Sequence, residues 1–256
     1  MKIKEWKKFY KNERNAKEEE IKYLSRAYWN KRKTSKEIDR LLDKGVVSFP
    51  HTKLIHSLKP ILEILTSIYK LKKEKIVLIG VLHGLEKNSE KEEFSLDNFI
   101  AISKTFTKEN NLPHLKIKKI FHEKMIKKRT EKNILNYIKK LKEQSKKLKK
   151  GIDSKTALII TGDIMHNVGS PDKLKFIKKR IIKNLKFCYE KKDYLKFFKD
   201  CLKIHGDHIA TSIITSELLG KRLKIKILSI RLTNYKDEIK TKDPSKVSSV
   251  VYGVSK

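Results

Sequence analysis

The chain has 256 residues, 63 of them Lys or Arg against 30 Asp or Glu, for a formal net charge of +33, and it carries two cysteines. That length fits one large α/β domain or two small ones, and one is expected; no apolar run reaches the roughly 18 residues of a bilayer span, no signal peptide opens the chain, and Cys188 and Cys201 lack CxxC spacing, so a soluble cytoplasmic protein with reduced thiols and no membrane partner is expected. Only eight basic residues are Arg, and Gly, Pro and Ala are scarce as well, so much of the lysine excess reads as base composition, with nucleic acid unlikely as a specific ligand and the lysines spread over the surface rather than gathered into a groove.

Residues 1–44 read as a helical N-terminal extension, one or two polar helices with Tyr23, Leu24, Tyr28 and Trp29 as their apolar face, ahead of an α/β domain over 45–256. "VVSFP" (Val46 to Pro50) is a short strand, and Leu54, Leu58, Ile61, Leu62, Leu65, Ile68 and Tyr69 recur at helical spacing. "KIVLIGVLHGL" from Lys75 is a buried strand that finishes on His83. A helix follows around 95–110, then the strand "HLKIKKIF", with Leu115, Ile117 and Ile120 facing inward. Ile134, Leu135, Ile138, Leu141 and Leu148 make a Lys-rich helix of 131–150. The strand "TALIITGD" comes next, then helices over about 171–187, 190–203 and 207–220, and the strands "LKIKILSI" and "KVSSVVYGV". Strands alternating with helices of this length predict an α/β fold whose central, largely parallel sheet has helices on both faces.

The histidines carry more information by placement than by number. His51 follows the first strand, His83 the second and His166 the strand ending in "TGDIMH", with Asp163 three residues before it. In open α/β sheets ligands bind beyond the carboxyl ends of the strands, so three strand-end histidines share one crevice if their strands are parallel neighbours. Each also has an ordinary use, as a cap or as a core residue bonded to a carbonyl. Asp163 reads either as a turn residue or as a carboxylate that orients an imidazole. His56, one turn into a helix, is expected to be exposed, as are His114 and His122; His208 opens the helix after His205.

Six segments in order resemble the MEMO family, which includes the MEMO component of the AmmeMemoRadiSam system and whose fold is related to the class III extradiol dioxygenases. "FPHTKLIHS" is similar to the family's Pro-His-Ala-Gly-Tyr segment in Pro50 and His51, and "LIGVLHG" to its Leu-Gly-Pro-Ser-His strand end in His83. "EFSLDNFI" keeps Glu93 and Ser95 of Glu-His-Ser-x-Glu, with Phe94 for the histidine and Asp97 for the second Glu. "TGDIMHNVG" resembles Ser-Ser-Asp-x-x-His-x-Gly in Asp163, His166 and Gly169. "HGDHIATSIITSELLG" keeps Gly206 of a Cys-Gly helix start with His205 for the cysteine, and "SKVSSVVYGV" is similar to the closing Ser-Val-Ser-Tyr-Ala-Ala strand.

The resemblance implies a class III extradiol dioxygenase-like fold, with His51, His83 and His205 as metal ligands and His166 and Asp163 as the catalytic acid/base pair beside them. Glu93, Asp97 and His208 are further pocket candidates. Three neutral imidazoles suit a divalent metal, Fe(II) first and Zn or Cu after it. The function so implied is a MEMO-like metal-binding protein with non-haem iron, dioxygenase-like redox chemistry on a small-molecule substrate or a partner protein. Two alternatives stand beside it: a binding protein that keeps the fold without the reaction, and a Zn-dependent hydrolase.

Overall fold

The computed structural model describes residues 3–50, 53–80, 94–121, 129–162, 164–165, 174–204, 206–234 and 246–256. Three helices come first, α1 (Ile3–Ala16), α2 (Glu18–Asn30) and α3 (Lys36–Lys44), where one or two were expected. The break between the last two is set locally: Ser35 caps α3 by accepting a hydrogen bond from the Ile38 amide at 3.1 Å. Next come β1 (Gly45–Phe49), α4 (Leu54–Lys70), β2 (Lys75–Gly80), α5 (Phe94–Glu109) and β3 (Lys116–Phe121). The chain continues through α6 (Glu131–Lys149), β4 (Thr156–Thr161), α7 (Leu174–Tyr189), α8 (Tyr194–Lys203) and α9 (Ile209–Leu219), and closes with β5 (Lys224–Asn234) and β6 (Lys246–Ser255).

The six strands form one sheet in the order β3-β2-β4-β1-β6-β5. β3, β2, β4 and β1 run parallel; β6 and β5 add an antiparallel pair at the β1 side. The fold is therefore α/β with a mixed, mostly parallel sheet. The inner strands are near-continuous apolar runs because both faces are covered, and the period of two divides their side chains between two cores. Val46, Val77, Ile79, Leu158 and Ile160 point to the layer of α6–α9. Val47, Phe49, Ile76, Leu78, Ala157 and Ile159 point to the layer that α2–α5 supply.

The covering helices show the same logic. α9 is buried on nearly all sides, its small hydroxyl residues included, and lies inside its layer in contact with α6, α7 and α8. Its hydroxyls bond locally or across, as Thr215 does to the Thr211 carbonyl at 2.7 Å. On the other face α2 and α3 add Ile21, Tyr28, Ile38, Leu41 and Leu42 to the core that also holds α4 and α5.

Some expected core positions differ. Tyr23 is 65% exposed, because α2 turns Ile21, Ser25 and Tyr28 inward instead, and Leu135 of α6 is 48% exposed beside buried Ile134 and Ile138. Ile117 and Ile120 do face inward, and being an odd number of residues apart on β3 they pack into opposite layers.

Candidate functional site

The strand order decides which loops meet. β2, β4 and β1 are consecutive parallel neighbours, with Ile79 opposite Ile160 and Phe49 opposite Thr161, so their carboxyl ends lie side by side on one edge of the sheet. That is the condition the three strand-end histidines require. His51, His83, Asp163, His166 and His205, together with Glu93 and His122, lie outside the described residues.

Around that edge the described residues form a specific arrangement. Ile164 follows β4 and is fully buried, and Gly206, in the α8–α9 connection, sits against its carbonyl oxygen. A Cβ at Gly206 would come within 2.5 Å of that oxygen and 2.8 Å of the His208 ring, so only glycine permits the approach. The start of α9 is thereby tied to the exit of β4.

His208 stands at the N-cap of α9 with 1% of its surface exposed. Its Nε2 donates to Asn184 Oδ1 at 2.9 Å, and Phe197 meets its ring edge-on at 5.4 Å between centroids. Asn184 of α7 in turn donates to Asp200 Oδ2 at 2.9 Å and lies 3.4 Å from Cys201 Sγ. Arg180 completes the chain by donating to Asp200 Oδ1 at 2.6 Å. A line of hydrogen bonds thus runs from the surface guanidinium to the imidazole. It fixes the His208 tautomer with the proton on Nε2.

Cys201 belongs to this cluster but not as a nucleophile. Burial pushes its thiol far above the usual range, and although Asn184 acts the other way, Asp200 and Asp207 add to the rise. The neutral thiol is a packing group that faces Asn184 and His208. Cys188 is buried and likewise raised, chiefly by loss of solvent.

The remaining candidates separate by place. Asp97 of α5 pairs with Lys119 of edge strand β3 at 3.0 Å, with 45% of its side chain exposed. His56 is half-buried on α4 rather than exposed, and His114 is exposed at the start of the chain into β3. Among the described residues no group of three or more His, Cys, Asp or Glu side chains is arranged to hold a metal. No described helix is long and apolar enough to cross a membrane. No protein-family model and no curated protein matches the chain.

Asn184 was not among the residues singled out from sequence. The signal was there: it occupies the row Ile177, Ile181, Asn184, Cys188 on the buried stripe of α7, where an amide requires partners.

Proposed function

We propose that this chain is a MEMO-like metal-binding protein with a class III extradiol-like architecture, in which His51, His83 and His205 hold a divalent metal, Fe(II) in preference to Zn or Cu. The observation that carries the reading is the adjacency of β2, β4 and β1 as parallel strands. His51 follows Phe49 by two residues and His83 follows Gly80 by three, and an extended chain spans at most about 3.6 Å per residue. Covalent tethering therefore keeps the Cα atoms of both histidines within roughly 11 Å of the ends of β1 and β2, the two strands that flank β4. Gly206, the residue after His205, is held against the exit of β4, which supports a third donor from that side.

The donor set fits the group: three neutral imidazoles suit borderline metals and leave coordination positions open. A metal there supplies a Lewis-acid centre with room for a small molecule. His166, with a side chain suited to proton transfer near neutral pH, takes and returns a proton, and Asp163 holds its tautomer. His208, locked by Asn184, anchors the start of α9 beside the loop that carries residue 205.

A second reading, a binding protein of the same fold without the reaction, is favoured by Asp97. Its carboxylate is engaged with Lys119 on the edge strand, and Phe94 stands where the family pattern has histidine.

Elemental analysis of protein purified aerobically and anaerobically tests the metal. One equivalent of metal is expected, lost in His83→Ala and His205→Ala alike. His166→Ala should retain it with affinity weakened by no more than about 10–100-fold. Absence of iron, zinc and copper under reducing conditions would overturn the metal reading and leave the second one. Uptake indifferent to His205 would move the site elsewhere.

A further inference from the structure

The expectation of evenly spread lysines fails between α7 and α8. The four-residue connection 190–193 folds these helices into an antiparallel hairpin, and the groove along it has a volume of about 570 Å³. Its walls carry Arg180, Lys183, Lys196, Lys199 and Lys203 against two carboxylates, Asp193 and Asp200. Both carboxylates are already engaged. Asp193 caps α8 by accepting from the Lys196 amide at 3.1 Å, and Asp200 accepts from Arg180 and Asn184. Lys199 reaches Glu131 at 2.6 Å and Lys196 lies over the Phe187 ring at 4.8 Å. Lys183 and Lys203 are exposed and have no carboxylate within ion-pair distance among the described residues.

Helical spacing adds an aromatic to this charge. Phe176, Arg180, Lys183 and Phe187 stand at i, i+4, i+7 and i+11 of α7, one straight row on one face. Phe187 is buried at the inner end, whereas Phe176 at the outer end is 70% exposed. The exposed Phe176 ring stands one helical turn from Arg180, at the head of the row of cations.

We propose that the α7–α8 groove binds a single strand of nucleic acid independently of its sequence, with the backbone along the two cation rows and one unstacked base on Phe176. Positively charged grooves with aromatic platforms are the general means of holding single strands. The row from Phe176 to Phe187 is about 16 Å long at 1.5 Å per residue, room for roughly five stacked nucleotides at 3.4 Å each. A duplex offers no open base face to Phe176. A bilayer is flat, whereas this surface is a cleft with one exposed apolar side chain on its row. The contacts are to phosphates and base faces, so RNA and DNA strands should bind alike.

The test is fluorescence anisotropy of the full chain with labelled oligouridylate and oligothymidylate across a salt series. Lys183→Glu/Lys203→Glu should weaken both by at least about tenfold near 0.1 M salt and lower the salt slope by roughly 1.4. Phe176→Ala should weaken them by roughly five- to a hundredfold with the slope unchanged. Lys59→Glu/Lys108→Glu, exposed residues on the opposite layer with the same change in charge, should leave binding within about twofold; thermal melts confirm that each variant is folded. Equal loss in the two charge reversals would mean diffuse attraction and overturn the proposal. So would indifference to Phe176, tighter binding of duplex than of single strands, or binding of phosphatidylserine vesicles without binding of the oligonucleotides.

Discussion

Asn184 shows how one buried side chain sets the chemistry of three neighbours. Fully buried, it accepts from His208 and donates to Asp200 while facing Cys201. Leucine would fill much of the same volume and supply neither bond. The buried His208 ring would then lose a partner, at about 1–3 kcal/mol, and the part-buried Asp200 carboxylate, which keeps Arg180, at about 1 kcal/mol, so Asn184→Leu is expected to lower stability by about 2–4 kcal/mol in urea unfolding. The same variant should expose the Cys201 thiol to a disulfide-forming reagent in native buffer, where the parent protein reacts only on unfolding; equal reactivity would show that the amide does not hold the cluster closed. At this scale the sequence was legible in part. His208 was marked because histidines are rare and chemically distinctive, while Asn184 and the Phe176 row were passed over because their meaning depends on which face of α7 is buried.

Among the elements, the inner strands β2 and β4 were readable because burial on both faces leaves near-continuous Val, Ile, Leu and Ala. Their neighbours were not, since strand order follows from crossovers that join residues far apart. The pairing of β1 with β6 illustrates the gap: it brings Gly45 opposite Ser255 and Val47 opposite Gly253. A Cβ on Gly45 would fall 1.9 Å from the Val254 carbonyl oxygen, a backbone atom that can move only with its strand. A Cβ on Gly253 would meet the Leu41 side chain, at 2.4 Å from Cδ1, on α3. Gly253→Ala should therefore cost about 1–3 kcal/mol, and Gly45→Ala more than about 3 kcal/mol, with loss of the β1–β6 pairing. Leu41→Ala should offset part of the first and none of the second. In a double-mutant cycle the Leu41–Gly253 coupling should exceed about 0.5 kcal/mol; additive costs would place the strain elsewhere.

For the whole molecule, the sheet's two cores differ in how the chain builds them. One is made by α6–α9 and the other draws on residues ahead of the first strand. Ile21, Tyr28, Ile38, Leu41 and Leu42 are each 5% exposed or less, and Leu41 reaches across to Gly253 near the chain's other end. The polar look of residues 1–44 hid this, because their charges occupy the outer faces of helices whose inner faces carry few but fully buried side chains. Burying one large apolar side chain contributes about 1.5–3 kcal/mol, so these five amount to roughly 7–15 kcal/mol, comparable with the 5–15 kcal/mol that separates a typical folded domain from its unfolded chain. A protein begun at residue 45 should consequently lose its cooperative thermal transition, bind a hydrophobic dye and aggregate, even though every strand is still present. Adding a separate peptide of residues 1–44 should restore part of the transition, since the interface it would rebuild is apolar. If instead the shortened chain melts cooperatively within a few degrees of the full one, the N-terminal helices are a cover that the second core does not require.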